Sequence, residues 1–122
     1  MSVQYKSISD LRSMLNNREI SHTELIQETF LNIKNNSKLN AFITLNEEES
    51  LKKANNLDNI SSSGSLAGIP IAQKDLFCSK DLKTTCGSNM LSNFIPPYSA
   101  TVIENLENAG CISVGKTNMD EF

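Results

Sequence analysis

The stretch Ser99-Ala100-Thr101-Val102-Ile103-Glu104-Asn105-Leu106-Glu107-Asn108-Ala109-Gly110-Cys111-Ile112-Ser113-Val114 changes its hydrophobic period partway along, and that change decides the fold class. Val102, Ile103, Leu106 and Ala109 recur at helical spacing, with Ser99 as the expected cap. Gly110 stands where a left-handed residue ends a helix. Cys111-Ile112-Ser113-Val114 is then a short apolar run that reads as a strand, and Gly115 is its expected terminator. Upstream, Ile69-Pro70-Ile71-Ala72 predicts another short, largely buried strand, with Pro70 near its beginning where a missing N–H does least harm. Between the two, Asn93-Phe94-Ile95-Pro96-Pro97-Tyr98 must be irregular, because each proline restricts the residue before it. Strand, irregular crossing, helix and strand make a βαβ-like unit, which predicts an α/β sheet with helices packed on it. Two parallel strands leave open edges, so the unit is expected to want further strands that the chain does not supply.

Working toward the N-terminus, Ile60-Ser61-Ser62-Ser63-Gly64-Ser65 reads as a polar connector. It divides a helical segment, residues 1–60, from the sheet-forming portion, residues 61–122. Three helices are expected in the first part. Leu11, Met14 and Leu15 follow the capping-box pattern Ser7-Ile8-Ser9-Asp10, and Leu25, Ile26, Phe30 and Ile33 follow a second box, Ser21-His22-Thr23-Glu24. Ala41-Phe42-Ile43-Thr44-Leu45 predicts a short strand. Asn46 is the expected cap of a third helix, whose buried side is Leu51, Ala54 and Leu57. At the other end, Thr117-Asn118-Met119-Asp120 looks like one more helix start.

The 122 residues carry 11 Lys+Arg against 14 Asp+Glu, a formal charge of -3, which disfavours direct contact with nucleic acid or an anionic membrane surface. The longest apolar runs fall far short of the roughly 20 residues that span a bilayer. Met1-Ser2-Val3-Gln4-Tyr5-Lys6 has neither a signal-peptide core nor a transit-peptide pattern, so the expected location is cytoplasmic. Cys78, Cys86 and Cys111 are an odd count, expected to be reduced and mostly buried. Their spacing, with His22 as the one histidine, offers no metal site, and His22 itself reads as a surface residue beside a cap.

Two strings invite functional readings. Gly110-Cys111-Ile112-Ser113-Val114-Gly115-Lys116-Thr117 fits the phosphate-loop pattern G-x-x-x-x-G-K-[ST]. A working phosphate loop needs a strand before its first glycine and an irregular loop after it, whereas here a helix precedes Gly110 and strand-like residues follow, so no nucleotide site is expected. The other is Lys74, which ends the 69–72 strand at the place where ligand sites of α/β sheets gather. It is either a solvated charge or, if its amine is desolvated, a general base.

Leu66-Ala67-Gly68-Ile69-Pro70-Ile71-Ala72-Gln73-Lys74-Asp75, then Thr84-Thr85-Cys86-Gly87-Ser88, then residues 93–102 and Gly115-Lys116-Thr117-Asn118-Met119-Asp120-Glu121-Phe122 together resemble the beginning of the amidase signature family. The likeness is greatest to its tRNA-linked amidotransferase branch, and with Leu39-Asn40-Ala41-Phe42 it covers nearly the whole chain. The resemblance implies a mixed sheet flanked by helices, of which this chain forms the N-terminal helices and first βαβ portion. It implies that Lys74 is the base of a Ser-Ser-Lys triad that hydrolyses glutamine through an acyl-enzyme. It makes the Gly-Lys-Thr string part of the core.

By the same resemblance, the chain belongs to a heterotrimer with B and C subunits, and the released ammonia passes to a partner subunit that uses ATP and Mg and holds the tRNA. This chain is expected to bind no cofactor itself. Gln73 departs from the family, many members of which carry an aliphatic residue there. Both triad serines lie, in the family, in a Gly/Ser-rich region beyond Phe122, so the 122-residue chain is expected to be inactive alone. The alternatives are a free-standing amidase acting on small amides and a non-catalytic fragment or interaction module.

Overall fold

The computed structural model describes residues 3, 5–60 and 64–119. Its elements are α1 (Ile8–Asn16), α2 (His22–Asn35), β1 (Phe42–Leu45), α3 (Glu47–Asp58), β2 (Pro70–Lys74), α4 (Thr101–Asn108) and β3 (Ile112–Thr117). The sheet runs in the order β1-β3-β2, with β3 parallel to β2 and antiparallel to β1. The predicted βαβ unit is therefore β2-α4-β3, and the expectation that the chain supplies no further strand is corrected: β1 covers the free edge of β3 and makes the sheet mixed. Ser61, Ser62 and Ser63 of the connector and Asp120 of the predicted final helix lie outside the described residues. Thr117, named above as a possible start of that helix, is instead the last residue of β3.

The helices form where periodicity and caps coincide. Ser7 and Asp10 complete a reciprocal capping box on α1. On α2 the box is half formed: the Glu24 N–H donates to Ser21 Oγ at 3.0 Å, while the N–H groups of His22 and Thr23 go to the Asp58 carboxylate at 2.7 and 3.1 Å. The carboxylate that ends α3 thus caps α2. His22 is buried rather than superficial, because its ring donates from Nδ1 to Asp58 Oδ1 at 3.0 Å and packs against Gly68, where an added Cβ would sit 2.0 Å from His22 Cδ2.

Two expected caps are engaged elsewhere. Asn46 Nδ2 donates to the Ser113 carbonyl at 3.3 Å, and Ser99 Oγ accepts the Lys80 N–H at 2.8 Å, so α4 starts at Thr101 with Ala100 before it. In both cases a long-range backbone partner outcompetes the local one. Val102 is exposed, and Ile103 alone of its stripe is fully buried. Gly110, at φ +99°, ends α4 as predicted.

Ile26 and Phe30 of α2 and Ala54 of α3 pack with Ile112 and Val114 of β3. Leu11, Met14 and Leu15 of α1 pack with Ile20, Leu25 and Ile69. Consecutive residues Ile71 and Ala72 of β2 pair with Ser113 and Gly115, so β3 carries Val114 as an extra residue. The Ser113 carbonyl beside it accepts the buried Ser50 hydroxyl at 2.8 Å, which docks the start of α3 on the sheet. Gly115 does not terminate β3 but lies inside it.

Burial pushes the Asp58 carboxyl up, but hydrogen bonds from the Thr23 hydroxyl, the His22 and Thr23 backbone and the His22 ring outweigh it and hold the group below its ordinary 3.8. A carboxyl depressed on folding stabilises the fold above its unfolded pKa, and that contribution is lost as pH falls through the folded value. Asp58→Ala is expected to cost about 1–2 kcal/mol at pH 7, as loss of a helix cap does, and less once pH drops below about 4. Urea unfolding of the two proteins at pH 7 and pH 3 checks this.

Candidate active site

Lys74 stands at the C-terminal end of β2, next to the end of its parallel neighbour β3, where it pairs in register with Thr117. The residue is exposed, and among the described residues β2 pairs with β3 on one side only. Of the strand's residues only Gln73 is buried, so β2 is half-buried where the sequence predicts a largely buried strand. The backbone around Lys74 is fixed on both sides. The Asp75 N–H donates to the Thr117 carbonyl at 3.1 Å, and the Lys74 carbonyl accepts the Phe77 N–H at 3.1 Å.

Below this turn lies a buried polar layer. Asp75 is fully buried, and its carboxylate accepts the Thr85 N–H at 3.0 Å, the Gly87 N–H at 3.2 Å and the Thr85 hydroxyl. The Asp75 carbonyl takes the Cys86 N–H at 2.9 Å. These bonds hold Cys86 in the left-handed region, at φ +53°, where a side chain is disfavoured. Gln73 Oε1 accepts the Ser79 hydroxyl, while Gln73 Nε2 is buried with no hydrogen-bond partner among the described residues.

Lys116 is also fully buried, pairs in register with Gln73, and donates through Nζ to the Phe77 carbonyl. Burial pushes its amine down from 10.5, against the opposing pull of Asp75, Cys78 and Cys86. The phosphate-loop reading fails here for the expected reason. α4 precedes Gly110, residues 112–117 are strand, and the lysine that would meet phosphate is turned into the protein. All three cysteines are free thiols. Cys111 is buried, which pushes its pKa up, and Cys78 and Cys86 are half-buried.

Sequence reasoning locates Lys74 because strand and strand end are local patterns. It misses Asp75, Thr85 and Lys116, whose partners lie 10 to 39 residues away. The one local hint is the run of polar residues Gln73-Lys74-Asp75 closing an otherwise apolar strand. Together these bonds place the Lys74 amine at the strand end on a turn fixed to β3.

A family model described as Amidase matches residues 24–122. The chain is 52% identical over 120 residues to the A subunit of the glutamyl-tRNA(Gln) amidotransferase of Nitrosomonas europaea, a match covering 95% of this chain and 25% of that protein. Native peptide amidase from Stenotrophomonas maltophilia superposes with a TM-score of 0.86 at 28% identity, over 98% of this chain and 26% of that one. A bacterial aryl acylamidase of the amidase signature family shares the fold, with a TM-score of 0.90 at 22% identity over 99% of this chain and 26% of its own. The chain spans about a quarter of the length of these relatives. Among the described residues no helix is long and apolar enough to cross a membrane.

Proposed function

Since the chain belongs to the amidase family, we propose that it forms the N-terminal part of the glutamine-hydrolysing A subunit of a glutamyl-tRNA(Gln) amidotransferase, with Lys74 as its catalytic base. The observation that carries this reading is the 52% identity to such a subunit across 95% of the chain. The rigid turn that presents Lys74 at the strand end supports it.

In this reading the Lys74 amine takes a proton through a bridging serine from a nucleophilic serine, both supplied outside residues 1–122. The nucleophile attacks the glutamine amide, and backbone N–H groups stabilise the oxyanion. Collapse of the tetrahedral adduct expels ammonia and leaves a glutamyl ester, which water hydrolyses. The ammonia serves the partner B and C subunits, which use ATP and Mg to amidate glutamate on tRNA(Gln) in the cytoplasm. The acidic balance of this chain suits a subunit that leaves the tRNA to its partners.

Ammonia release from glutamine tests the proposal. A polypeptide of residues 1–122 alone is expected to release none, and the same residues joined to the remaining three quarters of a related A subunit are expected to restore release. Release by residues 1–122 alone, or its absence from the joined protein in a properly folded complex, overturns the reading. Superposition on the peptide amidase favours a second one, a free-standing amidase. That reading predicts hydrolysis of small amides by the joined protein without the B and C subunits, at rates above those for glutamine.

A further inference from the structure

A fully buried lysine whose side chain meets a backbone carbonyl is costly to place, since an ammonium loses its hydration and gains one neutral acceptor. Lys116 is in that position, and its partner explains the expense. The Phe77 carbonyl that Lys116 holds belongs to the same residue whose N–H, at 3.1 Å, closes the turn on the Lys74 carbonyl. One residue therefore links the buried amine to the backbone of Lys74. Asp75 holds the far side of the loop through Thr85 and Gly87, and the Asp75 N–H ties the turn to β3 immediately beyond Lys116.

We infer that Lys116 is a positioning residue, anchoring the turn through the Phe77 carbonyl so that Lys74 is presented at the end of β2 in one orientation. Cys78 and Cys86 stand near enough to Lys116 to act on its charge, as Asp75 does, so the anchor faces the loop it holds. The inference rests on Lys74 being the working amine, but the anchoring itself can be measured without any catalysis.

Lys116→Met keeps the aliphatic stem and removes the donor, and Lys116→Gln offers an uncharged donor. In residues 1–122, amide hydrogen exchange at Phe77 is expected to accelerate in Lys116→Met by roughly tenfold to a hundredfold, the factor that goes with one lost bond to a charged donor. Exchange at Ile26 and Phe30 in α2 is expected to hold within about twofold. Acylation of Lys74 by a soluble anhydride, read residue by residue by mass spectrometry, should change with the Phe77 exchange, while Lys52 and Lys53 serve as exposed controls. Lys116→Gln should fall between wild type and Lys116→Met on both measures.

Unchanged exchange at Phe77 overturns the inference. So does a uniform rise across Phe77, Ile26 and Phe30, which would make Lys116 a plain stability residue. In the joined full-length protein, Lys116→Met is expected to lower kcat for glutamine more than tenfold with KM within about threefold. A normal kcat there, with the exchange result upheld, overturns the role in catalysis. If Lys74→Met is itself active, the reading of Lys74 has failed while the anchor stands.

Discussion

Glutamine hydrolysis by the joined full-length protein is expected to fall by roughly ten-thousand-fold in kcat when Lys74 is replaced by methionine, with little change in KM. Methionine keeps the apolar stem of lysine and leaves the backbone bonds of the turn in place, while the amine that would accept the proton is removed. A base acts on the transition state more than on the bound substrate, which is why the loss belongs in kcat. Steady-state ammonia release at saturating and limiting glutamine measures both constants. Activity above about a tenth of wild type would remove Lys74 from the mechanism.

Gly115→Ala is expected to produce a large loss of stability. An ideal Cβ at Gly115 would lie 2.4 Å from the Thr44 carbonyl oxygen, 3.1 Å from Phe42 Cδ1 and 3.3 Å from Leu45 Cα. Two of these neighbours are backbone, so relief requires β1 to move away from β3, at a cost of about 3 kcal/mol and a drop in Tm of roughly 10 °C. Gly87→Ala is the contrast. Nothing lies within 4 Å of its added Cβ, and only the φ of +67° opposes the change, at about 1 kcal/mol. Thermal unfolding of both variants separates contact from conformation, and equal losses would refute the close approach of β1.

What could be read from the sequence follows the range of the forces involved. The α2 stripe of Leu25, Ile26 and Phe30, the Ser7 box and the terminating Gly110 are set within a few residues, and the structure keeps them. Asn46 and Ser99 have the right chemistry for caps, but their side chains are drawn to partners 67 and 19 residues away. His22 looks superficial beside Ser21 because Asp58, 36 residues on, cannot be foreseen from its neighbours. The candidate site divides in the same way. Lys74 follows from the strand that it ends. The Lys116–Phe77 contact, across 39 residues, exists only once β3 lies beside β2.

The placement of β3 between its two partners also governs how the polypeptide emerges from a ribosome. β1 and β2 have no pairing with each other, and each bonds to the strand made last among the three. At roughly 5–20 residues per second, β1 waits several seconds from its synthesis until Ile112 to Thr117 clears the exit tunnel. During that interval the nascent chain has no sheet, and Ile26, Phe30 and Ala54 lack the Ile112 and Val114 side chains that complete their core.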